Sequence, residues 1–391
     1  MSGRAPLPGG RTVAVAPALL LAAACSAASD GPPAPDAWRV SATPALTIGA
    51  IEGDSAYLFE RIASAHFAGD GRIVVADGGL SVVRVFGPDG RFLHQFGRLG
   101  DGPGEFRNLQ ATWMVAPDTV GAWDDRLARL TYASLDGAVA RVVTLMPGAG
   151  VPTGTHLDFL AGVRSDGSVV IGSVALGDAG ADGRRRDVVA LHAFDASGTF
   201  TDTLATLGGL VRQQMGQATA PLPFSPFPFV AVVRDSVAVT DGSSPTVRLL
   251  APDGGVREVA FPSNEIAPDS ARAILRDALE AREAMMLRFL PDAPPTRAVP
   301  HIAGLLVDDG GRLWTKVFDP GTDAVWLDGG RQVQGGTWWV ADPDGRVVAT
   351  VALPPSLRPL EVRGDRVLGV GTDALGVQRV AVHTLDGAPG S

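Results

Sequence analysis

The chain has 391 residues, 46% of them hydrophobic, with 49 glycines, 30 prolines and a formal net charge of −9. That composition supplies a sizeable core for one soluble β domain whose length comes from repeats rather than extra domains. Charge spread without clusters excludes a basic nucleic-acid footprint and a polybasic membrane patch, and a single cysteine excludes an internal disulfide.

The first 25 residues read as an address. Arg4 and Arg11 form a basic region, Thr12 to Leu21 an apolar stretch too short for a permanent span, and Ala22-Ala23-Ala24 a small-residue cleavage site. Leu21-Ala22-Ala23-Ala24-Cys25 resembles a bacterial lipobox with its leucine one place further upstream than usual, which makes Cys25 the expected lipidation site. The alternative is an ordinary secretory signal with an incidental cysteine. Residues 26–37, including Asp30-Gly31-Pro32-Pro33-Ala34-Pro35, read as a disordered tether, and the folded domain is expected over 38–391.

Two short phrases then recur, six times each. The first is a turn dipeptide before an apolar strand: Asp70-Gly71, Pro117-Asp118, Asp166-Gly167, Arg234-Asp235, Gly310-Gly311 and Gly364-Asp365. The second places a glycine between two later strands, at Gly90, Gly137, Gly198, Gly254, Gly345 and Gly387. Gly and Asp tolerate the positive φ of tight hairpins, so two hairpins per unit imply four strands per unit. Self-similarity at roughly 40 to 50 residues then predicts an all-β, six-bladed propeller of four-stranded antiparallel blades. In five units an outermost strand follows the second glycine, whereas after Gly387 the chain ends within four residues. The strand predicted at Trp38 to Ile48 is therefore expected to complete the last blade and close the ring, removing exposed edges.

Long insertions are expected at Gly172 to Arg186, Gly208 to Pro228, Pro262 to Pro300 and Asp319 to Gln334, all at the end opposite the tight turns. Contacts concentrate on long loops carried by a rigid scaffold, so this end is the expected binding face, with Phe224, Phe227, Phe229, Trp123, Arg282 and Met286 as candidate contacts. The proline-rich run 221–229 is expected to be extended, its phenylalanines forming either a lip for a ligand or a cover over neighbouring blades. Pro268 through Leu290 reads as an amphipathic helix, capped at Asp269 or Ser270 and stopped by Pro291, that acts as a lid or as a fixed plug. Asp77 with Arg84, Asp241 with Arg248 and Asp373 with Arg379 read as repeated ion pairs that set strand register.

Ile73 to Asp77, Arg84 to Leu93 and Phe96 to Phe106 together resemble an NHL-type repeat, and the chain is similar to six-bladed β-propeller lipoproteins and secreted proteins of bacteria. The likeness extends to Gly310 to Trp314 and Leu368 to Val377, and so covers the mature chain. It implies a fold and a place outside the cytoplasm; lipid on Cys25, followed by Ser26 rather than Asp, adds an expected anchor in the cell envelope, at the outer membrane or facing the periplasm. NHL-type amidating lyases hold a metal with histidines from different blades, which makes His156 and His301 candidate ligands; calcium-dependent lactonases are relatives in shape. There is no Gly-x-Ser-x-Gly elbow and no phosphate-cradling loop. Two readings follow: a noncatalytic, monomeric binding module for a protein, peptide or glycan, without cofactor or nucleic acid, or a hydrolase or lyase with zinc or calcium at the channel mouth.

Overall fold

The computed structural model describes residues 1, 3, 35–148, 151–152, 154–215, 218–282, 299–324 and 335–388. The chain divides into two units, 1–34 and 35–391, and the fold is that of the second. Cys25 and the expected leader lie outside the described residues, as do Met286, Pro291 and the side chain of Arg282.

The fold is a β-propeller of four-stranded antiparallel sheets. Strands β1 (Asp36–Val40) and β2 (Leu46–Ile48) precede the first sheet, which comprises β3 (Ile62–Phe67), β4 (Ile73–Asp77), β5 (Val82–Phe86) and β6 (Phe92–Phe96). The second contains β7 (Leu109–Ala116), β8 (Thr119–Asp124), β9 (Arg129–Ser134) and β10 (Val139–Thr144). The third has five strands, β11 (Phe159–Val163), β12 (Val169–Ala175), β13 (Arg184–Phe194), β14 (Phe200–Met215) and β15 (Ala218–Pro221). The fourth runs from β16 (Phe229–Val233) through β17 (Ser236–Thr240) and β18 (Thr246–Leu250) to β19 (Val256–Ala260). Helix α1 (Pro268–Arg282) follows. The remaining strands are β20 (Ile302–Val307), β21 (Leu313–Val317), β22 (Gly336–Ala341), β23 (Val347–Leu353), β24 (Leu357–Arg363), β25 (Arg366–Thr372) and β26 (Gln378–Asp386), joined with β1 and β2 into one nine-stranded sheet.

The N-terminal segment makes that join. β2 lies antiparallel to β26, Leu46 opposite Val382, while β1 pairs with β26 on one side and runs parallel to β23 on the other. β1 begins at Asp36, inside the segment expected to be tether. Trp38 is buried against Trp314, ring centroids 5.9 Å apart, which ties the strand into the core as well as the ladder.

The six second-phrase glycines have φ between 80° and 91°, and Gly71, Gly167 and Gly311 have φ of 86°, 81° and 77°. The predicted turn chemistry is thus realised where the left-handed region is needed. In sequence order the first strands β3, β7, β11, β16, β20 and β24 each contact the next, and β24 contacts β3. Apolar clusters fill the gaps between successive sheets, and one of them joins Leu368, Val370 and Val380 to Ile62, Val75 and Phe86 across β2 residue Ile48. Burial of such side chains contributes about 1.5–3 kcal/mol each.

Three expectations change. Gly208 to Pro228 is mostly strand and Gly172 to Arg186 narrows to a connection over 176–183, because the ladder continues through Ala175 opposite Val188 and Arg184 opposite Gln213, satisfying backbone groups that a loop would leave to water. The proline-rich run is not extended throughout: Phe224 takes φ 60° in a turn where the Ser225 N–H donates to the Leu222 carbonyl at 3.3 Å. The helix begins with proline at its first position, before the expected caps. It buries Ala271, Leu275 and Leu279 against Phe224, Phe318 and Ala303, but leaves Ile274 41% exposed.

Candidate functional site

Hairpins joining the first to second and third to fourth strands of each sheet lie at one end of the ring. Connections between second and third strands, and between sheets, lie at the other, so the extended β13 and β14 and α1 stand there. Phe224, Phe227 and Phe229 are buried in this region, packed with α1 and with the sheets around β18 and β20, so they form no lip for a ligand. Trp123 is buried too, because the central strand β8 is covered on both faces.

At this end the first two sheets share a pin. Asp77, the last residue of β4, accepts the backbone N–H groups of Glu60, Arg61, Gly79 and Leu80 at 3.1, 3.1, 3.1 and 3.3 Å. Asp124, the last residue of β8, accepts those of Arg107, Asn108, Arg126 and Leu127 at 2.6, 3.2, 3.0 and 3.0 Å. The offsets are identical in the two repeats, 17 and 16 residues before the aspartate and 2 and 3 after it. A buried carboxylate there satisfies donors that the ladder leaves unpaired at its end. Asp77 also pairs with Arg84 at 3.1 Å and Asp373 with Arg379 at 2.7 Å, whereas Asp241 meets Arg186 at 3.6 Å.

The two repeats differ beside the pin. The first has Gly78, where a Cβ would fall on the Arg61 guanidinium; the second has Asp125 at that position and Asn108 in place of Arg61. Asn108 joins these groups: its Oδ1 accepts from Arg61 Nη2 at 3.2 Å, and its Nδ2 donates to Asp125 Oδ1 at 2.9 Å. Gln110 Nε2 approaches Asp125 Oδ2 at 3.4 Å. Asp125 is only 8% exposed, and burial pushes its carboxyl above the usual range, while the Asn108 hydrogen bond and the neighbouring His156 act the other way. Among the described residues no cation lies within ion-pair distance of it. Across β3, Arg358 donates from Nη2 to the Ile62 carbonyl at 2.6 Å, and burial, then the charge of Arg61, lowers its pKa to about 10. Further along the inner strands, Ser64 and Thr112 join hydroxyls at 2.8 Å.

The opposite mouth holds a cleft of about 350 Å³ lined by Arg234, Asp309, Glu361 and Arg363. Two of its charges, Glu361 and Arg363, pair with each other. Glu361 meets His66 Nδ1 at 3.2 Å and Arg363 at 2.7 Å, and Asp309 accepts the Gly364 N–H at 3.2 Å.

The candidate metal ligands His156 and His301 have different surroundings. His301 Nδ1 accepts the Asn264 N–H at 3.1 Å, which assigns the proton to Nε2 and leaves no lone pair for a metal. His156 Nδ1 faces Asp158 Oδ1 at 3.1 Å. Among the described residues no three His, Cys, Asp or Glu side chains are grouped to hold an ion.

Arg61, Asn108, Asp125 and Arg358 were not singled out from the sequence. Aligning the first two repeats on Asp77 and Asp124 would have exposed the first three as the places where a repeated scaffold changes chemistry. Arg358 offers no such signal, since it reaches its partner from the other end of the chain.

No protein-family model and no curated protein matches the sequence. Among solved structures, a member of the DUF4221 family from Bacteroides vulgatus superposes with a TM-score of 0.55 at 8% identity, over 91% of this chain and 100% of that one. Virginiamycin B lyase from Staphylococcus aureus gives 0.39 at 9% identity over 83% and 94% of the two chains. The calcium-binding protein regucalcin from Agrobacterium tumefaciens gives 0.40 at 12% identity over 83% and 91%. At such identities the likeness bears on the fold alone, and the chain is a β-propeller.

Proposed function

We propose that the chain is a noncatalytic binding propeller of the NHL-like lipoprotein type, six-bladed, closed by its N-terminal strands and held in the cell envelope by lipid on Cys25. The ring order of the first strands and the apolar clusters between neighbouring sheets support the six-blade reading, with β1 fusing the last two blades into one sheet. The ligand, a protein, peptide or glycan, is taken by one monomer at the channel mouth beside the long connections.

The observation that carries this reading is Asp125, a desolvated carboxylate at that mouth held only by the neutral amides of Asn108 and Gln110. A carboxylate offers about four acceptor sites, so a ligand's hydroxyl, amide or ammonium donors can complete its shell. Glycan and peptide arrays probed with the full chain test the reading. Retention of a ligand by the wild type, its loss in Asp125→Ala and its survival in Asp166→Ser at the tight-turn end are expected. Stoichiometric zinc or calcium in the purified protein, or ligand retention undisturbed by Asp125→Ala, would overturn it.

A further inference from the structure

We propose that Arg61 and Arg358 form an oxyanion subsite at the channel mouth, taking a carboxylate, sulfate or phosphate group of the ligand. This deepens the reading of that mouth as the binding face and rests on it.

The argument is one of missing countercharge. Arg358 leaves β24, reaches the adjoining inner strand β3 and donates Nη2 to the Ile62 carbonyl at 2.6 Å. Arg61, immediately before β3, donates Nη2 to Asn108 Oδ1 at 3.2 Å. Both acceptors are neutral, and among the described residues neither guanidinium has a carboxylate within ion-pair distance. Elsewhere Arg84, Arg212, Arg312, Arg363 and Arg379 each meet an acid. Arg129 lacks one, but it spends its donors on the carbonyls of Asp101, Gly102 and Glu105, as a purely structural arginine does. Arg358 differs in making one such bond, to the Ile62 carbonyl, and its Nε, like that of Arg129, is closed off from solvent without a partner.

Two guanidinium groups held near each other without an anion carry a desolvation and repulsion cost, which the lowered pKa of Arg358 reflects, with burial the larger cause and Arg61 the second. An oxyanion beside them recovers that cost and supplies acceptors to the remaining Nη donors. Both side chains remain partly open to solvent, so a ligand can reach them. Asp125 does not supply the anion: Asn108 stands between it and Arg61 with its amide oriented by both contacts.

Isothermal titration of the full chain with inorganic phosphate, sulfate and acetate at constant ionic strength tests the subsite. One saturable site is expected for at least one of the three, and the ranking among them identifies the group preferred. Arg358→Met and Arg61→Met should each weaken it at least about tenfold, the loss of a charge-assisted hydrogen bond, and Arg72→Met at the opposite end should not. If Arg358→Met fails to fold, Arg358→Lys keeps the charge and must still weaken binding by removing the fork. Absence of saturable binding, or binding indifferent to both arginines, overturns the proposal. Anion binding lost in Arg358→Met, beside array binding undisturbed by Asp125→Ala, would leave the subsite standing while the broader reading of the mouth fell.

Discussion

Replacing Asp77 with alanine should cost more stability than replacing Asp124, and the difference measures one buried charge. Each aspartate accepts four backbone N–H groups at matching offsets. Removing either acceptor leaves those donors unpaired at a net cost of about 1 kcal/mol each, so each variant should lose about 4 kcal/mol. Asp77 alone also neutralises Arg84, whose side chain is 3% exposed and lies 5.0 Å from the ring of Phe59. Breaking a buried pair costs about 3–5 kcal/mol by itself. Because the two losses overlap, Asp77→Ala is expected to exceed Asp124→Ala by about 2 kcal/mol, a large fraction of a typical stability of about 5–15 kcal/mol. Urea unfolding followed by tryptophan fluorescence reads both, and the double variant Asp77→Ala, Arg84→Met should recover most of the excess. A loss below about 1 kcal/mol in either single variant would refute the pin, since four stranded donors cannot cost so little. Equal losses, with no recovery in the double variant, would refute the account of Arg84.

Deleting residues 1–51 removes β1 and β2, strips Trp38 and Ile48 from their clusters and bares the edges of β23 and β26, so the truncated chain should aggregate or lose thermal stability. A monomer of undiminished melting temperature would show that the N-terminal segment does not close the ring. Cys25→Ser should move the protein from the membrane to the soluble fraction with an unchanged circular dichroism spectrum, and a native protein without acyl chains by mass spectrometry would rule out the anchor. The raised carboxyl of Asp125 binds its proton more tightly folded than unfolded. Its contribution to stability is therefore full below the ordinary value of 3.8 and is lost as pH rises through the raised value. Asp125→Asn should flatten that part of the stability curve, and an unchanged curve would count against the burial of this group.

The scaffold was legible because it is written in residues with local consequences. Gly90 or Gly345 dictates a turn by itself, whatever surrounds it, and the alternating apolar runs on either side set strand faces without reference to the rest of the chain. The third sheet resisted because nothing local separates a long loop from a long strand over Gly172 to Arg186. The difference lies in its partner Gly208 to Met215, and pairing is a property of two segments at once. The phenylalanines left two readings open, a lip or a cover, for a related reason. Phe224, Phe227 and Phe229 were placed at the right end of the ring, but α1 and the neighbouring sheets cover them, and burial by a distant element is not written in the run itself.

Repetition supplies its own control for separating scaffold from function. A residue that recurs at the same offset in successive sheets answers a demand that every sheet makes, as Asp77 and Asp124 do. A residue that breaks the repeat beside such a pin answers no common demand. Gly78 becoming Asp125 and Arg61 becoming Asn108 are changes of this kind, and they are complementary, since the guanidinium occupies in one repeat the space that a side chain takes in the other. The exchange leaves a carboxylate and a guanidinium on either side of one amide. On the proposed binding reading, a ligand with donors for Asp125 and an anion for Arg61 would complete both groups.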